Sequence, residues 1–220
     1  MKKLRIDILS DLVCPWCFIG YTRLEKVLEQ LRVDKHLQPE IHWHPFELNP
    51  TLSAGGEILN QHLQTKYQMT AQQRQLSQQR ITEFGNALGI DFQFTADMRI
   101  YNTRKAHQLM MWAARSQQQT PFQKALFLAY FQEGRVMDDT NTLLDIAVAQ
   151  GLDRRDCRRV LTDPGWSSAV VQTEKQWLEA GIQAVPAMII EQHILLNGAQ
   201  PIAELHETLD GLAETLPSFH

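Results

Sequence analysis

The strongest constraint on the fold is local. A short apolar run, Leu4 to Leu9, breaks at Ser10 and Asp11, and Cys14-Pro15-Trp16-Cys17 then opens a stretch in which Phe18, Leu24, Val27, Leu28 and Leu31 recur at helical spacing. That pattern predicts strand, tight turn and helix, with Cys14 at the helix N-terminus. Pro15 suits the first helical turn, where a missing N–H costs nothing. Pro39 and Glu40 precede Ile41-His42-Trp43-His44, whose alternation predicts a second strand, and Pro45 to Pro50 forms a turn-rich loop after it. Residues 4–46 therefore read as one βαβ unit.

Beyond this unit the period changes to helical. Helices are predicted over Ile58–Tyr67, Ala71–Leu88, Asn102–Ser116, Pro121–Glu133, Thr140–Gln150, Arg154–Leu161 and Ser167–Ala180, separated by Gly and Pro punctuation such as Gly89, Gly134 and Asp163-Pro164-Gly165. Gln is a good helix former, so the Gln-rich stretch 61–79 reads as solvated helix faces with Leu63, Tyr67 and Leu76 interleaved. Strand character returns at Ala187–Glu191 and His193–Asn197, with Glu191-Gln192 as the hairpin turn, and a last helix, Ile202–Thr215, follows Pro201. The order βαβ, helices, ββα describes an α/β domain, residues 1–54 and 182–220, interrupted by an all-helical insertion over 55–181.

Composition narrows the function classes. With 21 basic against 25 acidic residues, the chain carries no field that would attract nucleic acid or an anionic membrane. The basic cluster Arg154, Arg155, Arg158, Arg159 is interleaved with Asp153 and Asp156 and reads as a surface helix face. No apolar run approaches the ~20 residues of a membrane span. Arg5, Asp7 and Asp11 interrupt the N-terminal stretch where a signal peptide would be apolar, so a cytoplasmic address is expected. Glycine-rich phosphate loops and GxSxG are absent from the sequence, which removes the usual support for nucleotide binding and serine hydrolysis.

The three cysteines are too few for a disulfide scaffold. In a reducing compartment a close pair points instead to redox, catalytic or metal chemistry. A Cys-x-x-Cys at a helix start places both sulfurs within disulfide reach and sets the first where free amides and the helix dipole favour a thiolate. Cys14 is thus expected to be the exposed attacking thiol and Cys17, one turn on, the more buried resolving thiol. A zinc site would need two further ligands, for which His42 and His44 on one face of the second strand are the available pair. Cys157 reads as a lone structural thiol.

Strand, CPWC, helix, long helical insertion, then Val185-Pro186 before a hairpin and a last helix resembles the DsbA-like thioredoxin-fold oxidoreductases, and within them the cytoplasmic FrnE-like group. The matching pieces are Ser10 to Gly20, Pro45 to Pro50, Asn102-Thr103 with Ala106-His107, Gly181-Ile182 leading to Val185-Pro186, and Gly198 to Pro201. The resemblance implies that Pro186 is a cis-proline packed against the cysteine pair, and that Val185 offers backbone groups to a bound thiol peptide. It also implies that Asn102 and His107 lean over the redox centre and shape the substrate groove; taken alone, His107 reads as a structural histidine of an amphipathic helix. Relatives bury an acid beneath the second cysteine, and Asp11 either serves as that proton acceptor or simply ends the strand.

The resulting expectation is a thiol–disulfide oxidoreductase that needs no metal or organic cofactor. Its substrate would be a thiol- or disulfide-containing protein or peptide, or glutathione as a co-substrate, and it would act as a monomer or small homo-oligomer. Strongly oxidising relatives carry a His between the cysteines, whereas Trp16 cannot stabilise a thiolate by charge. A milder potential follows, nearer about −200 to −270 mV than the roughly −120 mV of DsbA. Two other readings stand beside it: a glutathione-dependent isomerase or transferase similar to the 2-hydroxychromene-2-carboxylate isomerases and kappa-class transferases, which need only the first position for thiol work, and a zinc-binding or chaperone-like module.

Overall fold

The computed structural model describes residues 2–217. Strand β1 (Lys2–Ser10) runs into helix α1 (Pro15–Asp34), and β2 (Leu37–Pro45) returns parallel to β1, with Ile8 opposite Trp43. After the insertion, β5 (Ala187–Ile190) pairs antiparallel with β1 and with β6 (Ile194–Asn197), and α9 (Ile202–Thr215) closes the chain. The sheet order is β2-β1-β5-β6, so β1, the strand that feeds the cysteine turn, is central. Its residues from Ile6 to Ser10 are all buried, which explains why it reads as a nearly continuous apolar run.

The insertion supplies α2 (Leu59–Tyr67), α3 (Ala71–Asn86), α4 (Arg104–Ala113), α5 (Gln119–Phe131), α6 (Thr140–Ala149), α7 (Arg154–Thr162) and α8 (Pro164–Glu179). It is helical except for one two-residue antiparallel ladder, β3 (Glu57–Ile58) with β4 (Arg99–Ile100), too short to show a period in sequence. Four helices begin where side chains cap them: Thr70 and Gln73 form a reciprocal capping box on α3, Asp139 accepts from the Thr142 N–H, Asp153 accepts from the Asp156 N–H, and Asp163 accepts from the Gly165 N–H. The last of these starts α8 at Pro164, three residues ahead of the predicted Ser167. The hairpin loop likewise takes in His193, because Ile190 pairs with Ile194; Glu191 and Gln192 both have positive φ.

The main hydrophobic core runs through the sheet, α1, α9 and the insertion, and a smaller cluster of Leu9, Ile182, Ala187 and Ile189 lies beside it. Phe18, adjacent to Cys17, stacks on Phe127 with ring centroids 4.9 Å apart and meets Phe92 edge-on at 5.9 Å. Aromatic pairs of this kind add about 0.5–1.5 kcal/mol each beyond area burial. They fix the first turn of α1 against the insertion. The outer edge of β2 is also held: the Gln119 carboxamide accepts from Trp43 N–H at 3.2 Å and donates to Trp43 C=O at 3.0 Å, as an added strand residue would. Among the described residues no helix is long and apolar enough to cross a membrane.

Candidate active site

Cys14 is the N-cap of α1, with Pro15 at the first helical position. Its side chain makes no capping hydrogen bond, so the sulfur sits at the positive end of the helix without neutralising it. The turn is closed by Cys14 N–H donating to Asp11 C=O at 3.1 Å and Cys17 N–H donating to Cys14 C=O at 3.1 Å. All three cysteines are unbridged thiols.

Cys14 was expected to be exposed, and here the structure corrects the sequence reading: it is 5% exposed, against 1% for Cys17. The order holds but both are buried, because the segment before β5 lies over the first sulfur. Cys14 Sγ contacts the Val185 carbonyl at 3.9 Å, and the Val185–Pro186 peptide bond is cis. The Pro186 carbonyl accepts from Gly198 N–H at 2.8 Å, which ties this segment to the end of the hairpin. Gly20 lets α1 come close beneath it: a Cβ there would stand 3.2 Å from Pro186 Cγ and 3.4 Å from Ala199.

Burial, then the hydrogen bond and charge of the Cys14 sulfur, push the Cys17 thiol well above its ordinary range; the Ser10 hydroxyl and the Asp11 N–H act against this. Ser10 is buried and otherwise without a hydrogen-bond partner. In the sequence it reads only as a strand terminator. Trp16 is partly buried because it packs edge-on against Phe84 at 5.7 Å.

Asp11 and His107 meet although they are far apart in the chain. Asp11 is fully buried; one carboxylate oxygen accepts from Leu48 N–H at 2.8 Å, and the other faces His107 Nε2 at 3.6 Å, too long for a full hydrogen bond. Neither of those facing atoms has another partner. Burial alone would lower the His107 pKa; the Asp11 carboxylate, with Glu47 and Glu174 farther off, outweighs it and raises the imidazole. Glu47 is buried, binds Arg104 through its carboxylate, and donates its N–H to Glu174 at 2.5 Å. Burial and the Glu47 charge push Glu174 up to about 7. A buried ionic cluster thus runs from the cysteine turn through α4 to α8.

Asn102 is not brought to the cysteines by any contact: it donates to the Pro50 carbonyl at 2.9 Å and accepts from Arg104 N–H at 3.0 Å, bracing the loop ahead of α4. His44 Nε2 bonds to Asp7 at 2.8 Å, so its donor is spent within the sheet. No group of three or more metal-ligating side chains occurs among the described residues. Cys157 is fully buried on α7, where burial and then Asp153 and Asp156 push its thiol up to about 11.

A family model described as the DSBA-like thioredoxin domain matches residues 5–210. The crystal structure of a probable DsbA oxidoreductase from Streptomyces coelicolor is similar at TM-score 0.87 with 26% identity, covering 99% of this chain and 92% of that one. A 2-hydroxychromene-2-carboxylate isomerase is similar at TM-score 0.69 and 18% identity, covering 96% and 97%. The cytosolic disulfide reductase DsbM from Pseudomonas aeruginosa, solved with glutathione, is similar at 0.61 and 14%, covering 96% and 99%.

Proposed function

The chain belongs to the DSBA-like thioredoxin domain family, and from that membership we propose that it is a thiol–disulfide oxidoreductase working through Cys14 and Cys17. The observation that carries this reading is the pair itself: two unbridged thiols at the start of α1, the first against the Val185 carbonyl and the second fully enclosed. The Cys14 thiolate attacks one sulfur of a substrate disulfide, forming a mixed disulfide and releasing the other sulfur as thiolate. Cys17 then gives up its proton and attacks the Cys14 sulfur. That bond closes the Cys14–Cys17 disulfide and expels the second substrate thiolate, so two electrons have passed to the substrate. The reverse sequence oxidises a substrate dithiol.

Within this reading each side chain has a task. The raised pKa of Cys17 keeps it protonated until the mixed disulfide forms, and Asp11 with His107 is the candidate acceptor of its proton. The backbone of Val185 presents hydrogen-bonding groups to an extended substrate segment. Pro15 and Trp16 shape the turn. Asn102 acts by holding the loop ahead of α4 rather than by touching substrate. We place residues 1–54 with 182–220 as the thioredoxin-like unit and 55–181 as the insertion; residue 1 and residues 218–220 lie outside the described residues. A cytoplasmic location, with no organic cofactor or metal, completes the proposal.

Glutathione is a reasoned co-substrate, because the fold is shared with a cytosolic disulfide reductase solved with glutathione and with an isomerase of the 2-hydroxychromene-2-carboxylate type. The retained Cys17 favours dithiol chemistry over the isomerase reading. Insulin reduction by dithiothreitol tests the proposal. Wild type is expected to catalyse turnover, Cys14→Ser to abolish it, and Cys17→Ser to accumulate a mixed disulfide. An inert wild type, or glutathione-dependent turnover that survives Cys17→Ser, would favour the isomerase or transferase chemistry instead.

A further inference from the structure

Trp16, inside the cysteine turn, is the start of an aromatic and cationic strip that the exchange chemistry itself does not use. Its ring meets Phe84 of α3 at 5.7 Å. Two guanidinium groups lie over that same Phe84 ring, Arg23 of α1 at 5.0 Å and Arg80 of α3 at 5.6 Å from its centroid. Arg23 donates to the Ala199 carbonyl at 2.7 Å and is held there. Among the described residues neither arginine has a carboxylate within salt-bridge distance. A shallow groove of about 630 Å³ continues along α3 past Phe84, lined by Leu76, Gln79, Arg80, Glu83 and Phe84. Leu76 is 57% exposed. Glu83, the one acid of that lining, accepts from Gln79 at 3.0 Å.

Half-buried aromatic surface, bracketed by unneutralised arginines and running out to the exposed Leu76, has the composition of an interface core. A guanidinium resting on a ring face keeps its N–H edge free for a carboxylate. The charge excess is positive, and the apolar surface is continuous with Trp16, one of the two residues between the cysteines. Resting on the thiol–disulfide reading, we propose that the Trp16–Phe84–Leu76 strip, with Arg23 and Arg80, is a docking surface for polypeptide substrates that carry an acidic residue beside a large apolar residue near the reacting cysteine. Leu76 to Phe84 alone spans about 12 Å of helix at 1.5 Å per residue. With Trp16 added, the strip is longer than a tripeptide thiol and matches about five residues of extended chain at roughly 3.3 Å each. The acidic residue would sit about two to four positions from the cysteine.

The test uses the reduced full chain and three thionitrobenzoate mixed disulfides: a peptide with Phe two positions and Glu three positions from its single cysteine, the same peptide with Lys for Glu, and glutathione. The rate of thionitrobenzoate release is followed at low and high salt. In wild type the Glu peptide should react at least about tenfold faster than the Lys peptide at low salt, the gap narrowing as salt rises. Arg80 is exposed, so Arg80→Glu should leave the thermal midpoint unchanged while reversing that order, and Arg80→Lys should retain it. The glutathione adduct should change less than twofold. Equal rates for the two peptides, an order that survives Arg80→Glu, or a glutathione response as large as the peptides' would each overturn the docking surface. Release that is identical in Cys14→Ser would instead sink the exchange reading on which it rests.

Discussion

Asp7 and Asp11 lie four residues apart along β1 and the turn after it, and both are buried, yet their surroundings are opposite. Asp7 takes two hydrogen bonds from Arg5, at 2.7 and 2.9 Å, and one from His44 at 2.8 Å. Burial alone would raise its pKa; those bonds win and hold it well below the carboxylate range. Asp11 has one full bond, from Leu48 N–H, and an imperfect contact with His107, while Glu47 next to it keeps a second unpartnered oxygen. A satisfied ion cluster is structure. An under-satisfied one beside two thiols leaves buried acceptors open, and its His107 and Glu174 are displaced toward holding their protons.

The comparison breaks if the two aspartates respond alike to removal of charge, and this is the largest effect expected. Asp7→Asn leaves the Arg5 and His44 donors short of a charged acceptor and should cost about 3 kcal/mol, toward the low end for a broken buried pair because Arg5 remains 41% exposed. Asp11→Asn keeps an oxygen for Leu48 N–H and gives up only the 3.6 Å contact with His107, so the cost should be about 1 kcal/mol. Urea unfolding at pH 7 measures both. Equal losses would show that the Asp11 cluster is as tightly paired as the other.

A smaller effect sharpens the contrast through pH. Glu174 and His107 both have raised pKa values in the fold, so the folded chain binds their protons more tightly than the unfolded chain does. Their contribution to stability is present at lower pH and lost as pH rises, for Glu174 between its ordinary value near 4.5 and about 7. Asp7 has the opposite sign: its contribution is present above the usual carboxylate range and is lost as pH falls through it. Glu174→Gln, which retains an acceptor for the Glu47 N–H, should therefore melt higher than wild type at pH 8, with the difference closing by pH 5. Thermal midpoints from pH 4 to 9 decide it; parallel curves for the two proteins would mean that Glu174 carries an ordinary pKa.

How much of this was legible in sequence follows the range of the interactions. The cysteine turn, β1, the hairpin and α9 are written in local punctuation and period, and they appear where Cys14-Pro15, Glu191-Gln192 and Pro201 put them. Asp11 and His107 could be noted singly, but nothing local says that residues on different elements share one buried space. Glu174 did leave a signal: Val170, Glu174 and Trp177 fall at i, i+4 and i+7, so this acid lies on the inward stripe of α8, where an acid is costly without a partner. Ser10 carried no such mark, since a serine after an apolar run ends a strand whether or not its hydroxyl faces a thiol. The burial of Cys14 was hidden because the segment that covers it is 171 residues away.

The smallest effect concerns the thiols themselves. Asp7 bonds to Arg5 and His44, and neither it nor they appear among the groups acting on Cys17, so Asp7→Asn should leave the Cys14–Cys17 potential unchanged. Asp11 contributes its N–H to Cys17 and its carbonyl to Cys14 N–H, with its negative carboxylate on the same residue. Removing that charge makes a nearby thiolate easier to hold, stabilises the reduced pair, and should raise the potential by about 10–30 mV; 30 mV is about 1.4 kcal/mol for a two-electron couple. The wild-type value should lie between about −200 and −270 mV, since Trp16 adds no positive charge between the cysteines. Equilibration with glutathione redox buffers measures all three proteins. A wild-type potential near −120 mV would contradict the role given to Trp16, and equal potentials in Asp11→Asn and wild type would confine the under-satisfied cluster to proton transfer, with no hold on the dithiol equilibrium.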